Sequence, residues 1–230
     1  MRTAAVLPVK RFAHAKQRLG QSVADPLRLE LARAMVADVL LALSETESIE
    51  RTIVVTREQS VVVTAREQGA IVVDDEAESG QPAAATLGVA RALAEGFERV
   101  LCVPGDCPAL DPAELEALLR TPTIGAGLPE VVIVPDRHGS GTNGLLLPPP
   151  DAIAPSFGPD SCERHRALAH AAGVACRLER PPSLLLDIDT GADLAALRER
   201  LSAHGARAGR TRAVLGQPER TSIPSITAPT

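Results

Sequence analysis

Apolar residues arrive in short blocks that switch between two periods. TAAVLPV (3–9) is a continuous apolar run of strand length. Asp25-Pro26 then offers an N-cap and a first-turn proline, and LRLELARAMVADVLLAL repeats its apolar positions at helical spacing. RTIVVT (51–56) is β-branched and reads as a strand. SVVVTA, within 58–68, has strand propensity, but two parallel strands need a crossover, so a helix is predicted there. AIVVDD (70–75) is the next strand, and PAAATLGVARALAEG (82–96) is an Ala-rich helix closed by Gly96. RVLCVPGD is a strand, followed by a helix at about 112–120 and the strand VVIVPD (131–136). A glycine loop at 139–144 leads into GLLLPPP, a short strand stopped by prolines. SFGPDS (156–161) precedes the helix CERHRALAHAAG, and RLERP and LLLDI are two further strand candidates. TGADLAALRERLSAHG is the last helix, with Thr190 as its cap. From 206 the chain loses periodicity, which predicts a domain at 1–205 and a disordered tail at 206–230.

Strands alternating with helices predict one α/β domain, its sheet mostly parallel and covered by helices on both faces. In such sheets ligands bind beyond the carboxyl ends of the strands. Lys10, Asp74 and Asp75, Asp106, and Asp187 and Asp189 all fall at such ends. Asp106 follows a buried run on a tight Pro104-Gly105 turn, where an acid is either a turn-former or a ligand of something bound there.

Composition narrows the classes. The 230 residues are 45% hydrophobic but include only three phenylalanines and no tryptophan or tyrosine, so the core must be aliphatic. The stacking platforms for single-stranded nucleic acid are missing, and a net charge of −5 argues against a polyanion binder. The first apolar stretch is cut by Pro8 and Lys10, unlike a signal peptide, and no run approaches membrane-spanning length. Four cysteines form no C-x-x-C pair and read as reduced thiols, giving a cytoplasmic expectation without a zinc site.

GSGTNG (139–144) matches the dinucleotide pattern G-x-G-x-x-G in letters only, because GLLLPPP cannot open the helix that pattern requires. A hairpin-like turn or an anion-holding loop, with Thr142 donating, are the other readings. DIDTG (187–191) lacks the threonine of a D-x-D-x-T phosphatase and lies far from a first strand. No G-x-x-x-x-G-K-[ST] loop occurs. Of the 24 basic residues only Lys10 and Lys16 are lysines, and both sit in VKRFAHAKQRL after the first strand. An ammonium and a guanidinium are not interchangeable at a phosphate, so this loop reads either as a solvated basic segment or as a polyphosphate clamp with Arg11 or Arg18. His165 and His170 are five apart and do not share a helix face as a metal pair would; His14 and His138 fall on loops.

LPVK followed by AK-Q-RL, then PGD-PAL, GTNGLLL, FGPDS and DIDT, in this order over residues 3–203, resemble the guanylyltransferases of deazaflavin coenzyme F-420 biosynthesis. The resemblance implies a nucleotide-diphospho-sugar-transferase-like (Rossmann-like) fold and the joining of GTP to phosphoenolpyruvate or 2-phospho-L-lactate. It implies Asp106, Asp187 and Asp189 as ligands of Mg2+, and Lys10, Lys16 and Gly80 as nucleotide contacts. It also implies Thr142, Gly158 and Ser161 as the phosphoenolpyruvate cradle. One departure is Gln81-Pro82, where the family often has Leu-Asn. An Arg- and Ala-rich chain suggests a GC-rich bacterial source and favours the phosphoenolpyruvate version over 2-phospho-L-lactate or 3-phosphoglycerate. Hand-off of a labile product to the next transferase and a homodimer are further expectations. The rivals are a pterin- or sugar-phosphate nucleotidyltransferase, whose G-G-x-S-x-R loop is missing, and a nucleotide-binding module without catalysis.

Overall fold

The computed structural model describes residues 1–12, 25–120, 130–202 and 207–216. Among them the strands are β1 (Thr3–Val9), β2 (Arg51–Thr56), β3 (Ile71–Val73), β4 (Arg99–Cys102), β5 (Glu130–Pro135), β6 (Thr142–Leu147) and β7 (Ala175–Leu178). The helices are α1 (Asp25–Ser44), α2 (Gln59–Glu67), α3 (Gln81–Ala94), α4 (Pro112–Arg120), α5 (Ser161–Ala171), α6 (Gly191–Ser202) and α7 (Gly209–Leu215). The strands form one sheet in the order β3-β2-β1-β4-β6-β5-β7. Every pairing is parallel except the two made by β6. Because β6 runs backwards, its first residues lie at the edge where the other strands end.

Strand alternation sends side chains to two cores. Leu7, Val54, Leu101, Val132 and Leu146 meet α1, α2 and α4 on one face. Val6, Ile53, Cys102, Ile133 and Leu145 meet α3 and α5 on the other. Leu31 and Met35 of α1 face outward onto Leu194, Leu197 and Leu201 of α6 and onto Ala208. Each fully buried leucine in these layers contributes about 2 kcal/mol. No helix among the described residues is long and apolar enough to cross a membrane.

Two expectations need correction, and one open reading is decided. LLLDI is not a strand: a 3-10 turn spans Pro182–Leu184 and the chain then runs outside the sheet. The place beside β5 is already taken by β7. In GSGTNG the hairpin-like turn is the reading that holds: residues 139–141 connect antiparallel β5 and β6, Thr142–Gly144 already belong to β6, and Asp136 N to Gly141 O (3.1 Å) and Ser140 N to Asp136 Oδ1 (3.0 Å) tie the turn. Finally, the expected tail is folded over 207–216. Asp38, only 5% exposed on α1, accepts from Arg210 N (3.1 Å) and Thr211 N (2.8 Å) in the first turn of α7. That carboxylate satisfies first-turn N–H groups that a seven-residue helix could not satisfy locally. Residues 217–230 lie outside the described residues.

Candidate active site

β4 ends where Val103 N donates to Val6 O (3.0 Å), and Pro104-Gly105 then turns the chain. Gly105 is packed so closely that a Cβ there would lie 3.0 Å from Val36 Cγ2. This turn carries Asp106 into the wall of a cavity of about 280 Å³. Val9, Phe12, Met35 and Val36 supply apolar walls, and Lys10, Asp75, Gln81, Asp106 and Asp189 supply the polar ones.

One backbone bond assembles the carboxylates. Ile188 N donates to Asp106 O at 3.0 Å, and buried Ile188 anchors the strandless segment in the α1–α6 core. Asp187 and Asp189 therefore flank the Asp106 turn. Burial pushes the Asp187 carboxyl up from its ordinary range, and the charges of Asp106 and Asp189 push it the same way. The Asn143 amide opposes this by donating to Asp187 Oδ1 (3.1 Å) and also holds Leu184 O (2.9 Å). The next helix is fixed by a reciprocal cap: Thr190 N and Oγ1 donate to Asp193 Oδ2 (2.7 Å each), and Asp193 N donates to Thr190 Oγ1 (3.3 Å). Thr190 is thus the expected cap. Arg137 pairs with the other Asp193 oxygen at 2.5 Å and links this cap to the β5–β6 hairpin.

A second group lies on the opposite face. Thr142 Oγ1 is 3.0 Å from His165 Nδ1, and Ser156 N donates to His165 Nε2 at 2.8 Å. A backbone N–H can only donate, so Nε2 accepts and Nδ1 carries the proton given to Thr142. The Thr142 hydroxyl hydrogen is left free for another partner. Burial, with a smaller push from Arg164, lowers the His165 pKa to about 4, so the ring stays neutral near pH 7. Ser161, at the start of α5, is one turn before His165 on the same helix face. Its buried Oγ has no hydrogen-bond partner among the described residues. Gly158 has φ +120°, a conformation that favours glycine. Arg164 closes this loop by donating to Ser156 O (2.9 Å) and Pro159 O (2.5 Å).

Lys10, Asp106 and Asp189 are brought to one cavity, with Asp187 beside them. Thr142 and Ser161 gather around His165, while Gly158 shapes the preceding loop. This group does not line the cavity; the Thr142–Asn143 peptide connects the two. Gly80 immediately precedes α3 and the cavity residue Gln81. Lys16 lies outside the described residues. Sequence reasoning missed Asn143, though it sits inside GTNG. It also passed over His165, weighed only against His170 although its spacing from Ser161 placed both on one face.

The reversed strand in an otherwise parallel sheet, with carboxylates and a lysine gathered at the strand ends, defines an α/β protein of nucleotidyltransferase-like fold. In fold it is similar to a putative nucleotide-diphospho-sugar transferase from Desulfovibrio desulfuricans G20, with TM-score 0.70, 17% identity and 94% of each chain covered. A nucleotidyl transferase from Methanothermobacter matches with TM-score 0.62 and 19% identity, over 86% of this chain and 96% of that one. The sequence is more specific. The family model for guanylyl transferase CofC-like proteins matches residues 3–210. The phosphoenolpyruvate guanylyltransferase of Conexibacter woesei is 50% identical over 222 residues, 96% of this chain and 99% of the relative. That of Sphaerobacter thermophilus is 38% identical over 199 residues, 86% of this chain and 93% of the relative. The chain belongs to the CofC-like guanylyltransferase family and is a nucleotidyltransferase.

Proposed function

We propose that this enzyme joins GTP to phosphoenolpyruvate, giving enolpyruvoyl-2-diphospho-5'-guanosine and diphosphate in coenzyme F-420 biosynthesis. The Ile188–Asp106 bond carries the reading, because it sets three aspartates at one strand-end edge beside Lys10. The choice of acceptor rests on the relatives' names. A phosphate oxygen of the acceptor attacks the α-phosphorus of GTP, a new P–O bond forms, and the bond to the β-phosphate breaks. The nucleophile is already an anion, so no general base is required. The barrier is the approach of one anion to another.

Asp106 and Asp189, with Asp187 behind them, would hold Mg2+. Magnesium keeps several waters and needs only one or two carboxylates besides phosphate. That fits this donor set, in which no three His, Cys, Asp or Glu among the described residues form a ready cage. When bound, the ion supplies neutralisation of the triphosphate and of the charge that develops on it. Lys10 adds an ammonium on the same wall, and Lys16 is proposed beside it. On the acceptor side, the Thr142 hydroxyl donates because His165 occupies its lone pair. Ser161 Oγ supplies a further donor, suited to a phosphate or a carboxylate, while Ser161 N and Cys162 N are taken by Gly158 O and Ser140 O. Product hand-off, a homodimer and a cytoplasmic location belong to the same proposal.

The test is magnesium-dependent diphosphate release with GTP, run with phosphoenolpyruvate, 2-phospho-L-lactate and 3-phosphoglycerate. Release with phosphoenolpyruvate above the other two is expected. Tight GTP binding without release from any acceptor would instead mark a binding module.

A further inference from the structure

Asp74 and Asp75 are neighbours after β3 with opposite fates. Asp74 is exposed and paired with Arg57 at 3.2 Å. Asp75 is 7% exposed, and its Oδ1 is shielded from solvent with no hydrogen-bond partner among the described residues. Nearby arginines are engaged elsewhere: Arg57 with Asp74 and with Glu76 O, and Arg11 with Glu78 at 3.0 Å. A buried carboxylate oxygen without a partner is costly unless a ligand completes it. Asp75 lines the same cavity as Asp106.

We infer that Asp75 reads the guanine base by accepting from its N1–H and 2-amino group. The inference rests on the proposed seating of the nucleotide in this cavity. Asp75 follows β3 and Asp106 follows β4, three places apart in the sheet, roughly 14 Å at the usual strand spacing. A ribose fits between a base held at one end and an α-phosphate held at the other. The cavity that Asp75 lines also has apolar walls, as a planar ring requires: Val9, Phe12 and Ala84. An ionised carboxylate offers two parallel acceptors and no donor. Among the four common bases only guanine presents two adjacent N–H donors on its pairing edge. Adenine and cytosine set a ring nitrogen lone pair there, and uracil flanks its one N–H with carbonyls, so each would face Asp75 with an unpaired or repelled atom. Gln81 on the same wall brings an amide N–H of the right sense for guanine O6. Gln81-Pro82 therefore keeps a polar reader in place of the family's Leu-Asn.

The test exchanges one donor for one acceptor. In Asp75→Asn, Oδ1 still accepts from N1–H, but Nδ2 now donates, which suits the 2-oxo group of xanthine. Nucleotide binding to wild type and Asp75→Asn is measured by calorimetry without acceptor, using GTP, inosine triphosphate and xanthosine triphosphate, with turnover and a thermal melt alongside. Wild type should prefer GTP over both analogues by roughly tenfold or more, and Asp75→Asn should invert the GTP-to-xanthosine preference by on the order of a hundredfold. Loss of both nucleotides alike in a variant that melts normally would place the carboxylate on something they share, the ribose or the metal, and overturn the inference. So would unchanged GTP preference. If Asp75→Asn fails to fold, Asp75→Ser takes its place, with equal affinity for GTP and inosine triphosphate expected and retained discrimination overturning the inference. A wild type that releases no diphosphate, with the inversion still seen in Asp75→Asn, would refute the proposed reaction and leave the base reader standing.

Discussion

Asn143 and Gly144 are consecutive strand residues that face the same side of the sheet. Val134 pairs with Gly144 and Pro135 with Thr142, so Asn143 is the extra residue of a bulge. The Asn143 amide donates to Leu184 O, and a Cβ on Gly144 would lie 2.8 Å from Leu184 Cδ2. The bulge reverses the alternation, so Thr142 turns toward α5 while Asn143 turns toward Asp187. A bulge that re-aims side chains beside a site is a recurrent device. Here it lets two adjacent residues serve the acceptor and the carboxylates separately.

Gly144→Ala tests that packing. The added methyl would also meet Val134 Cβ and Cγ2 at 3.0 Å, and Val134 sits in the sheet core. A loss of about 1–3 kcal/mol is expected in urea denaturation. Wild-type stability would mean the strand–turn contact is looser than described.

His165 gives a pH dependence with a definite sign. Its folded pKa of about 4 is below the ordinary 6.5, so the unfolded chain takes up the proton first as pH falls. Its contribution is therefore full above about pH 6.5, declines down to about pH 4 and is level below. The total is on the order of 3 kcal/mol. Denaturant melts from pH 7.5 to 3.5 should show this slope, and His165→Gln should remove that part of it. Parallel curves for the two proteins would contradict the buried neutral ring.

Ser161→Ala separates a ligand contact from a helix cap. Asp160 is the residue before α5, and Ser161 Oγ bonds to nothing among the described residues. Removing it should leave the melting temperature within a degree or two while KM for phosphoenolpyruvate rises about tenfold, with KM for GTP little changed. Gly158→Val should add a stability loss of about 1–3 kcal/mol from its backbone conformation. Equal effects on both substrates would take Ser161 out of the acceptor site.

Much of this was legible in the chain. The alternation of periods set the element order, and the helix at 59–67, argued from the need for a crossover against β-branched propensity, is present. Asp106 could be named because it ends a buried run, whereas Asp187 and Asp189 lie in and just after LLLDI, which is not a strand, and it is the resemblance of DIDT to the family motif that singles them out. What was hidden depends on distant partners. The cap of α7 is Asp38, 173 residues from Thr211, and no local pattern announces it. LLLDI is as apolar as a strand, but its seat was taken by β7 and its polar groups went to Asn143 and Asp106. Asp74 and Asp75 look alike in sequence; only burial separates them.

Asp106→Asn keeps shape and removes the charge. It should relieve the repulsion felt by Asp187 and leave the fold intact. Turnover should fall by on the order of a hundredfold at saturating magnesium. Near-normal turnover would reduce Asp106 to a turn residue.

The most direct test of the whole account is the identity of the product. Purified enzyme, GTP, magnesium and an equimolar mixture of phosphoenolpyruvate, 2-phospho-L-lactate and 3-phosphoglycerate are combined, with the next transferase present to trap a labile diphosphate, and the guanylylated species are separated by mass. The account predicts the enolpyruvoyl diphosphate of guanosine as the main product, formed with one diphosphate per transfer and lost in Asp106→Asn. A main product carrying another acceptor, or the same yield from Asp106→Asn, would contradict it.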